Sequence, residues 1–351
     1  MARPTPLNLD NIQRTSFSGF TKGVQSNLFL KFTGDKAGRA WIAEVAAEVF
    51  GSGVVIQFNN EFLALKKMGA KKPEAVISAE RVNLAFSFAG LQALSVNAAD
   101  LAMFPDTFRN GMAKAAIGDV ETSDPSFWMP PFTTPAHVHA VLIVAADHDH
   151  ELAKKVADIT GTAAFNAGVQ LLLNQEGRTG SDALGHEYFG FNEEASQPGV
   201  SGAHSGEFVF GYETQIPTAK PCRQAPNPDP GPIREFGSEW TKDGAYLVFR
   251  RLRQDAPALE KSIESLAKLL GWSEEMTGAK LVGRYKSGCQ ITQRKFQTGA
   301  YAPPSIDTTA PTLIDPGKAP PAVQHSVTRT GGEYFFSPSL DTLQALGTGT
   351  I

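Results

Sequence analysis

Two adjacent carboxylates, Glu193 and Glu194, are the residues whose type and position suggest chemistry most directly. They lie in a loop, residues 185–199, that is rich in glycine, proline and phenylalanine. Loops of this composition often carry binding and catalytic groups, because glycine and proline permit backbone conformations that regular elements exclude. The composition therefore marks this loop as the first candidate for a functional site.

Acid–base catalysis is one of two interpretations of the carboxylate pair. Adjacent carboxylates repel each other, so burial of both would raise the pKa of one and let it donate a proton near neutral pH. In the other interpretation the two side chains point to opposite sides of the loop, where one accepts hydrogen bonds from backbone amides and the other is in solvent.

Four further side chains complete the candidate site. His186, at the start of the loop, is a second acid–base candidate, or a residue that forms hydrogen bonds within the loop. Phe191 and Phe249 are candidates for an apolar wall around a substrate, or core residues. Arg250 is one of two arginines that alternate across a predicted strand, so it is placed to bind Glu193 or an anionic ligand, or to lie at the surface.

Histidines near one predicted strand were weighed as metal ligands. The pair His137 and His139 and the pair His148 and His150 have spacings that can bind zinc or iron together with a carboxylate. The strand between the pairs separates them by about its full length, so packing and surface roles account for them better. We predict no metal site.

The composition describes a globular protein of about two domains. The 351 residues are 42% hydrophobic and 19% charged, with a net charge of −4 and no basic stripe, which argues against nucleic acid as a partner. The apolar runs are too short to span a bilayer, and the N-terminal residues lack the apolar segment of a secretory signal. With Cys222 and Cys289 as the two cysteines, thiols in a reducing cytoplasm are expected.

Hydrophobic patterns predict an α+β fold in the first half of the chain. The strand-like segments are residues 27–32, 81–88, 136–146 and 169–174. Helices are predicted after Asp35, from Asp106 and from Asp149. The order β-α-β-β-α-β is that of a ferredoxin-like unit, in which helices cover one face of an antiparallel sheet.

The second half repeats this pattern incompletely. Strands are predicted at residues 208–212, 246–252 and 326–336. Helices are predicted after Asp255 and after Ser337 or Ser339. Residues 286–322 lack periodicity and are interpreted as an extended arm. The prediction is thus an N-terminal ferredoxin-like half at 1–180 and an incomplete C-terminal half at 181–351.

The loop resembles the signature of the dye-decolorizing peroxidases, haem enzymes whose distal loop reads Gly-Phe-x-Asp-Gly-x-Ser-Gln-Pro. In this chain Glu193 occupies the position of the Asp, and Glu194 that of the following Gly. Segments that resemble the family in the same order are residues 7–13, 82–91, 108–112, 240–252, 283–288 and 331–340. The resemblance implies two ferredoxin-like halves of the dimeric α/β barrel type.

One segment of the family has no counterpart in this chain. The resemblance implies a proximal histidine in a segment similar to His-Ile-Arg-Lys-Thr-x-Pro-Arg, followed by an arginine that reaches the distal side. Between Lys286 and Gly331 the only histidine is His325, at the start of the last predicted strand. Because haem needs an axial ligand at a fixed place, we predict that no cofactor is bound.

The leading hypothesis is therefore a haem-free, diverged enzyme that acts on an apolar small molecule by acid–base chemistry, such as cyclisation or isomerisation. One alternative is a haem-dependent peroxidase with an unrecognised axial ligand. Another is a binding or assembly protein without catalysis. The resemblance also implies two strands and a helix after the proximal segment, and this chain lacks them. Their loss would leave an open sheet edge, so a homo-oligomer formed through that edge is expected unless the arm covers it.

Overall fold

The computed structural model divides the chain into two compact parts, here called unit 1 and unit 2. Unit 1 comprises residues 1–178, 199–251 and 329–351, and unit 2 comprises residues 179–198 and 252–328. The structure describes residues 5–13, 22–68, 80–114, 119, 123–178, 186–187, 189–192, 205–215, 230–233, 238–252, 254–289, 291 and 330–351.

Unit 1 is built on a six-stranded antiparallel sheet. The strands of the chain are β1 (Val24–Phe32), β2 (Arg81–Phe86), β3 (Ala140–Ala146), β4 (Val169–Arg178), β5 (Glu213–Gln215), β6 (Pro230–Ile233), β7 (Ala245–Arg251) and β8 (Gly331–Ser337). The large sheet has the order β4-β1-β3-β2-β8-β7, and β5 pairs with β6. The first four strands therefore have the predicted ferredoxin-like order, and β8 and β7 extend the same sheet.

Helices cover one face of this sheet. The helices of unit 1 are α1 (Asp35–Ala46), α2 (Ser52–Lys67), α3 (Phe88–Ala93), α4 (Ala98–Leu101), α5 (Asp106–Asn110), α6 (Asp149–Thr160), α7 (Ala163–Gly168) and α10 (Leu340–Thr348). Trp41 of α1 and Leu343 of α10 are fully buried in the core on this face. Arg39 of α1 donates a hydrogen bond to the carbonyl of Leu346 at 2.8 Å, which ties the two helices together. The predicted α+β fold is confirmed.

The opposite face of the sheet is also buried. In β1, Leu28 and Leu30 face the helices, whereas Phe29 faces a second cluster that contains Trp128 and Phe132. Side chains alternate between the faces of a strand, so a sheet covered on both sides needs continuous apolar sequences. This requirement explains why β3 is apolar throughout.

The units do not follow the predicted division into residues 1–180 and 181–351. Strands β7 and β8, from the predicted second half, belong to the sheet of unit 1. Residues 208–212, predicted as a strand, form turns, and Gly211 has a φ of +87°. The division of the chain into two ferredoxin-like halves stays a prediction, and most of the predicted arm lies outside the described residues.

Unit 2 contains two helices among its described residues, α8 (Ala256–Leu270) and α9 (Glu274–Val282). Asp255 caps α8 by accepting a hydrogen bond from the N–H of Ala258 at 3.1 Å, as the sequence predicted. Helix α9 was not predicted. Over the described ranges, neither unit contains a helix with the length and apolarity needed to cross a membrane.

Candidate functional site

The described part of the signature loop forms a closed turn in unit 2. The N–H of Glu187 donates to the carbonyl of Phe191 at 3.0 Å, and the N–H of Gly190 donates to the carbonyl of Glu187 at 2.7 Å. His186 and Asn192 pair as an antiparallel bridge. Gly190 has a φ of +81°, a left-handed conformation that strains residues with a Cβ atom. The glycine of the signature is therefore required to reverse the chain here.

The carboxylate of Glu187 lies within this turn and uses both of its oxygens. Oε2 accepts a hydrogen bond from the N–H of Phe189 at 2.9 Å, and Oε1 accepts one from the N–H of Phe191 at 2.8 Å. The side-chain amide of Gln254 also donates to Oε2. Hydrogen bonds to an ionised acceptor are about twice as strong as those between neutral groups, so this residue holds the turn closed.

The turn is attached to the chain segment that follows α9. The N–H of Asn192 donates to the carbonyl of Lys286 at 3.0 Å. The Nζ atom of Lys286 lies 3.4 Å from the position that a Cβ atom at Gly190 would occupy. Phe191 is buried, and its Cζ atom lies 3.9 Å from the corresponding position at Gly278. The start of the loop is thus fixed at two places.

Glu193 and Glu194, the predicted catalytic pair, lie outside the described residues. They follow Asn192 directly, so the fixed turn is their N-terminal attachment. His186 is half-buried at the start of the turn. The burial of Phe191 against α9 fits a packing role, and its contact with a substrate stays a prediction, as do the catalytic roles of His186 and the two carboxylates.

Phe249 and Arg250 lie in unit 1, on strand β7. The ring of Phe249 packs edge-on against Phe29, with centroids 4.7 Å apart, and is stacked on Phe132 at 5.7 Å. Arg250 forms a salt bridge with Asp119, and its guanidinium carbon lies 4.9 Å from the centroid of the Trp128 ring. The anionic partner of Arg250 is therefore Asp119, whereas binding of substrate by either β7 residue stays a prediction.

Glu333, on the neighbouring strand β8, is a buried acid that was not predicted from the sequence. Glu333 is 2% exposed and pairs with Phe249 across β7 and β8. Its Oε1 atom accepts hydrogen bonds from the N–H of Met112 at 2.9 Å and of Tyr334 at 2.8 Å. Burial raises the pKa of the Glu333 carboxyl to about 7, although the two hydrogen bonds lower it. The signal in the sequence was a single acid within the otherwise uncharged segment 331–337.

The histidines show whether the described residues can supply an axial ligand to haem. His139 is buried, but its Nδ1 atom accepts a hydrogen bond from the N–H of Phe32 at 3.0 Å, and its ring also donates a hydrogen bond to the backbone of Ala136. Burial lowers the pKa of His139. His137, His148 and His150 are exposed, and His186 is half-buried. None of these five combines burial with an uncommitted ring nitrogen, so they do not fit the role.

The other histidines, His204 and His325, lie outside the described residues. In the described ranges, His, Cys, Asp and Glu side chains form no group of three or more that could hold a metal ion.

Comparison with known proteins gives these features a context. Residues 11–179 match the DyP dimeric alpha+beta barrel domain. The chain is 29% identical over 292 residues to dye-decolorizing peroxidase msp1 of Mycetinis scorodonius, a match that covers 81% of this chain and 52% of the relative. It is also 29% identical over 310 residues to dye-decolorizing peroxidase AauDyP1 of Auricularia auricula-judae, covering 82% and 51%. The chain spans about half the length of the curated relatives it matches.

Solved structures give the same result for the fold. An ancestral D-type dye-decolorizing peroxidase superposes with a TM-score of 0.62 at 27% identity, covering 84% of this chain and 61% of the other. The DyP-type peroxidase of Anabaena sp. superposes with a TM-score of 0.65 at 19% identity, covering 96% and 94%. The second match concerns the fold alone because its identity is low.

The prediction that no cofactor is bound is wrong in the light of these matches. The relatives are dye-decolorizing peroxidases. The signature loop resembles that of the dye-decolorizing peroxidases, and these are haem enzymes. Haem is therefore the expected cofactor. The absence of the family's sequence motif does not show the absence of an axial ligand, because such a ligand is defined by its position in space and not by the sequence around it.

Proposed function

Because the chain belongs to the dye-decolorizing peroxidase superfamily, we propose that it is a haem-dependent peroxidase of the DyP type. The observation that carries this proposal is the extent of the match, which reaches across 81% of the chain to a protein named for that activity. The peroxidase activity is a proposal because the chain spans only about half the length of these relatives.

Glu193 is proposed as the acid–base group of this activity. A peroxidase needs a group that moves a proton between the two oxygens of peroxide, and Glu193 occupies the position of the family's Asp. Its side chain is one methylene longer than Asp, so its carboxylate reaches further from the loop. Glu194 adds a second negative charge where the family has Gly, and a like charge nearby raises the pKa of a carboxyl. The pair is therefore suited to hold a proton at higher pH than one carboxylate alone.

Haem would supply the redox chemistry when bound. The described histidines do not fit as its axial ligand, which leaves His204 and His325 as the histidines to test. A peroxidase also needs a cation to stabilise developing negative charge, and Arg250 is already engaged with Asp119. The proposed substrates are a peroxide and an organic dye, in keeping with the names of the relatives.

The test is to express the full chain with haem precursors and to record its absorbance and its bleaching of a dye with hydrogen peroxide. We expect a Soret band with about one haem per chain and peroxide-dependent bleaching. His204→Ala and His325→Ala should be compared with the exposed His150→Ala, and loss of the Soret band in one of the first two would identify the ligand. Absence of both the Soret band and bleaching in the unaltered protein would overturn the proposal.

The composition supports two further proposals, one about the location of the protein and one about its partners. A cytoplasmic location rests on the presence of two cysteines in 351 residues. Fractionation of cells that express the full chain would test it. The absence of nucleic acid and membrane partners rests on the charge pattern and on the short apolar runs, and binding assays with duplex DNA and with anionic vesicles would test it.

A further inference from the structure

Met129 lies against a guanidinium group at the end of strand β7. Its Sδ atom accepts a hydrogen bond from Nη1 of Arg251 at 2.9 Å. Both side chains are half-buried, so part of each is open to solvent. We propose that Met129 is a site of reversible oxidation by hydrogen peroxide, and that Arg251 binds the sulfoxide that is formed. This inference rests on the proposed function only for the source of the peroxide.

The backbone of Met129 is attached to strand β8, the neighbour of β7. Its N–H donates to the carbonyl of Thr330 at 3.0 Å, and the next residue, Gly331, pairs with Arg251 across the two strands. The N–H of Phe132, which is 1% exposed, donates to the carbonyl of Met129 at 3.0 Å. These contacts, all within unit 1, keep Met129 beside Arg251.

Arg251 is a cation whose hydrogen-bond partner is weak. A thioether sulfur is a poor acceptor, whereas a guanidinium presents five N–H groups. The neighbouring Arg250 forms a salt bridge with Asp119. Over the described ranges, no Asp or Glu side chain forms a salt bridge with Arg251. A strong acceptor formed at the Met129 sulfur would therefore meet N–H donors that no acid occupies.

The oxidation balances with hydrogen peroxide as the other reactant. A lone pair of Sδ attacks one peroxide oxygen, so an S–O bond forms and the O–O bond breaks. Sulfur loses two electrons and peroxide gains them, and the proton of the transferred oxygen passes to the departing hydroxide, which leaves as water. A thioether has two lone pairs, so one can face Arg251 while the other reacts. The guanidinium stabilises the negative charge that develops on the departing oxygen.

The sulfoxide is a better partner for Arg251 than the thioether. Oxidation makes the side chain of methionine polar, which disrupts apolar packing. Met129 packs against the cluster that contains Trp128 and Phe132, where a sulfoxide oxygen without a donor is costly. Hydrogen bonds from a charged donor are stronger than those between neutral groups. Arg251 therefore makes this oxidation one that unit 1 tolerates.

Three other methionines provide comparisons within the same chain. Met112 also accepts from a guanidinium, that of Arg250 at 3.5 Å, but it is only 2% exposed. Met103 and Met68 are 55% and 83% exposed, and in the part of the chain that the structure describes no arginine contacts their sulfur atoms. Met129 combines partial exposure with a guanidinium at its sulfur.

The test exposes the full chain to hydrogen peroxide and follows the sulfoxide of each methionine by peptide mass spectrometry. The variants are Arg251→Gln and Arg251→Lys, of which the second keeps the charge and the apolar stem and should fold even where the first does not. The matched control is Arg178→Gln, since Arg178 is exposed and also ends a strand, β4. Met129→Leu conserves the volume of the side chain but cannot form a sulfoxide.

Met129 should be oxidised about 10-fold faster than Met112, because a buried group reacts only when the structure opens locally. With Met103 as the internal reference, Arg251→Gln should slow oxidation of Met129 by about 3- to 10-fold, since a donor to the departing oxygen is lost. Arg251→Lys should slow it less, and Arg178→Gln should not change it. Methionine sulfoxide reductases should restore the thioether.

The melting temperature shows whether Arg251 binds the sulfoxide. Peroxide should shift that of the unaltered protein by less than about 1 °C and lower that of Arg251→Gln by about 4 °C, the size expected for one lost charge-assisted hydrogen bond. Adding Met129→Leu to Arg251→Gln should abolish this response. A response that persists would place the damage at another residue and overturn the proposal.

Two further results would contradict the inference. One is oxidation of Met129 that is no faster than that of Met112. The other is an equal fall in melting temperature in the unaltered protein and in Arg251→Gln, which would show that Arg251 does not bind the sulfoxide. Neither measurement uses haem or a dye. Failure of the proposed peroxidase function would therefore leave the expected oxidation unchanged, and the reverse also holds.

Discussion

The side-chain amide of Gln13 pairs with the backbone of Leu84 through both of its polar atoms. Nε2 donates to the carbonyl of Leu84 at 2.9 Å, and Oε1 accepts from its N–H at 3.1 Å. Nε2 also donates to the carbonyl of Pro338 at 2.7 Å. Strands β2 and β8 pair directly at Phe86 and Phe336. Gln13 therefore connects the ferredoxin-like strands to the end of β8 where direct pairing stops.

Gln13→Ala should destabilise unit 1 strongly. The substitution leaves three backbone groups without their side-chain partner in a buried region, and each unsatisfied group costs roughly 1–3 kcal/mol. We expect a loss of about 3 kcal/mol or more in the free energy of unfolding, measured by urea denaturation. Gln57→Ala, at an exposed position in α2, is the control and should change it by less than about 0.5 kcal/mol. A loss of the same size in both variants would contradict the role assigned to Gln13.

Glu333 should make the stability of unit 1 depend on pH. Burial raises its pKa to about 7 from its ordinary value of 4.5, so the protonated form is favoured in the folded state. The stability that this group contributes is complete below pH about 4.5 and is lost as the pH rises through about 7, with a total of about 3 kcal/mol. Glu333→Gln, which stays uncharged, should lack this loss.

The measurement is the free energy of unfolding of both proteins between pH 4.5 and pH 8. The advantage of Glu333→Gln over the unaltered protein should grow as the pH rises to about 7 and then level off. Glu260→Gln, which changes an exposed acid, should follow the unaltered protein throughout. A constant difference between Glu333→Gln and the unaltered protein would show that Glu333 is ionised at all of these pH values.

Gly90→Ala should disrupt the junction between α3 and the segment before β3. A Cβ atom at Gly90 would lie 1.8 Å from the carbonyl oxygen of His139, so the backbone would have to move. We expect a loss of more than about 3 kcal/mol in stability, or failure to fold, since overpacking in a rigid core has costs of this order. Gly177→Ala is the control, because nothing lies within 4 Å of its Cβ position. Equal melting temperatures for the two variants would refute the clash.

The sequence predicted self-association through an open sheet edge without naming the strand, and we propose β7 as that edge. It lies at one end of the six-stranded sheet, and Val248 at its centre is 61% exposed. Apolar edge strands promote pairing with another chain, and lysine on such a strand opposes it. Val248→Lys should therefore lower the apparent mass at high protein concentration in light scattering. Leu269→Lys, at a position on α8 that is 80% exposed, should not. A monomeric unaltered protein would disprove self-association.

The sequence was sufficient to predict the strands and helices that have a clear apolar pattern or a capping residue. The apolar runs of β1 and β3 identified buried strands, and Ser339 caps α10 by accepting a hydrogen bond from Thr342, one of the two start points predicted. Helix α9 was missed because Gly278 lies within it and its apolar residues do not follow one face. Residues 208–212 were misassigned because their apolar side chains pack in turns on either side of a left-handed glycine.

The candidate site was harder to predict because its contacts are distant in the sequence. The sequence suggested that Arg250 could bind Glu193, but its salt-bridge partner is Asp119. Asp119 is 131 residues away in the chain, and no pattern in the sequence indicates that the two residues pair. The sequence does not indicate the role of Glu187, because its carboxylate accepts from backbone N–H groups that any residue at positions 189 and 191 would present. Glu333 was overlooked because one acid in a strand does not reveal whether it is buried.

Strand β8 and the residues that follow it contact elements that lie much earlier in the chain. Leu346, which accepts a hydrogen bond from Arg39, and Pro338, which accepts one from Gln13, are separated from these partners by 307 and 325 residues. During synthesis, β1 to β4 can pair with one another soon after β4 has been translated. The β2 edge then stays without its partner until β8 has been translated about 150 residues later. That edge can mispair in this interval, and a chaperone that shields β2 should raise the yield of folded protein.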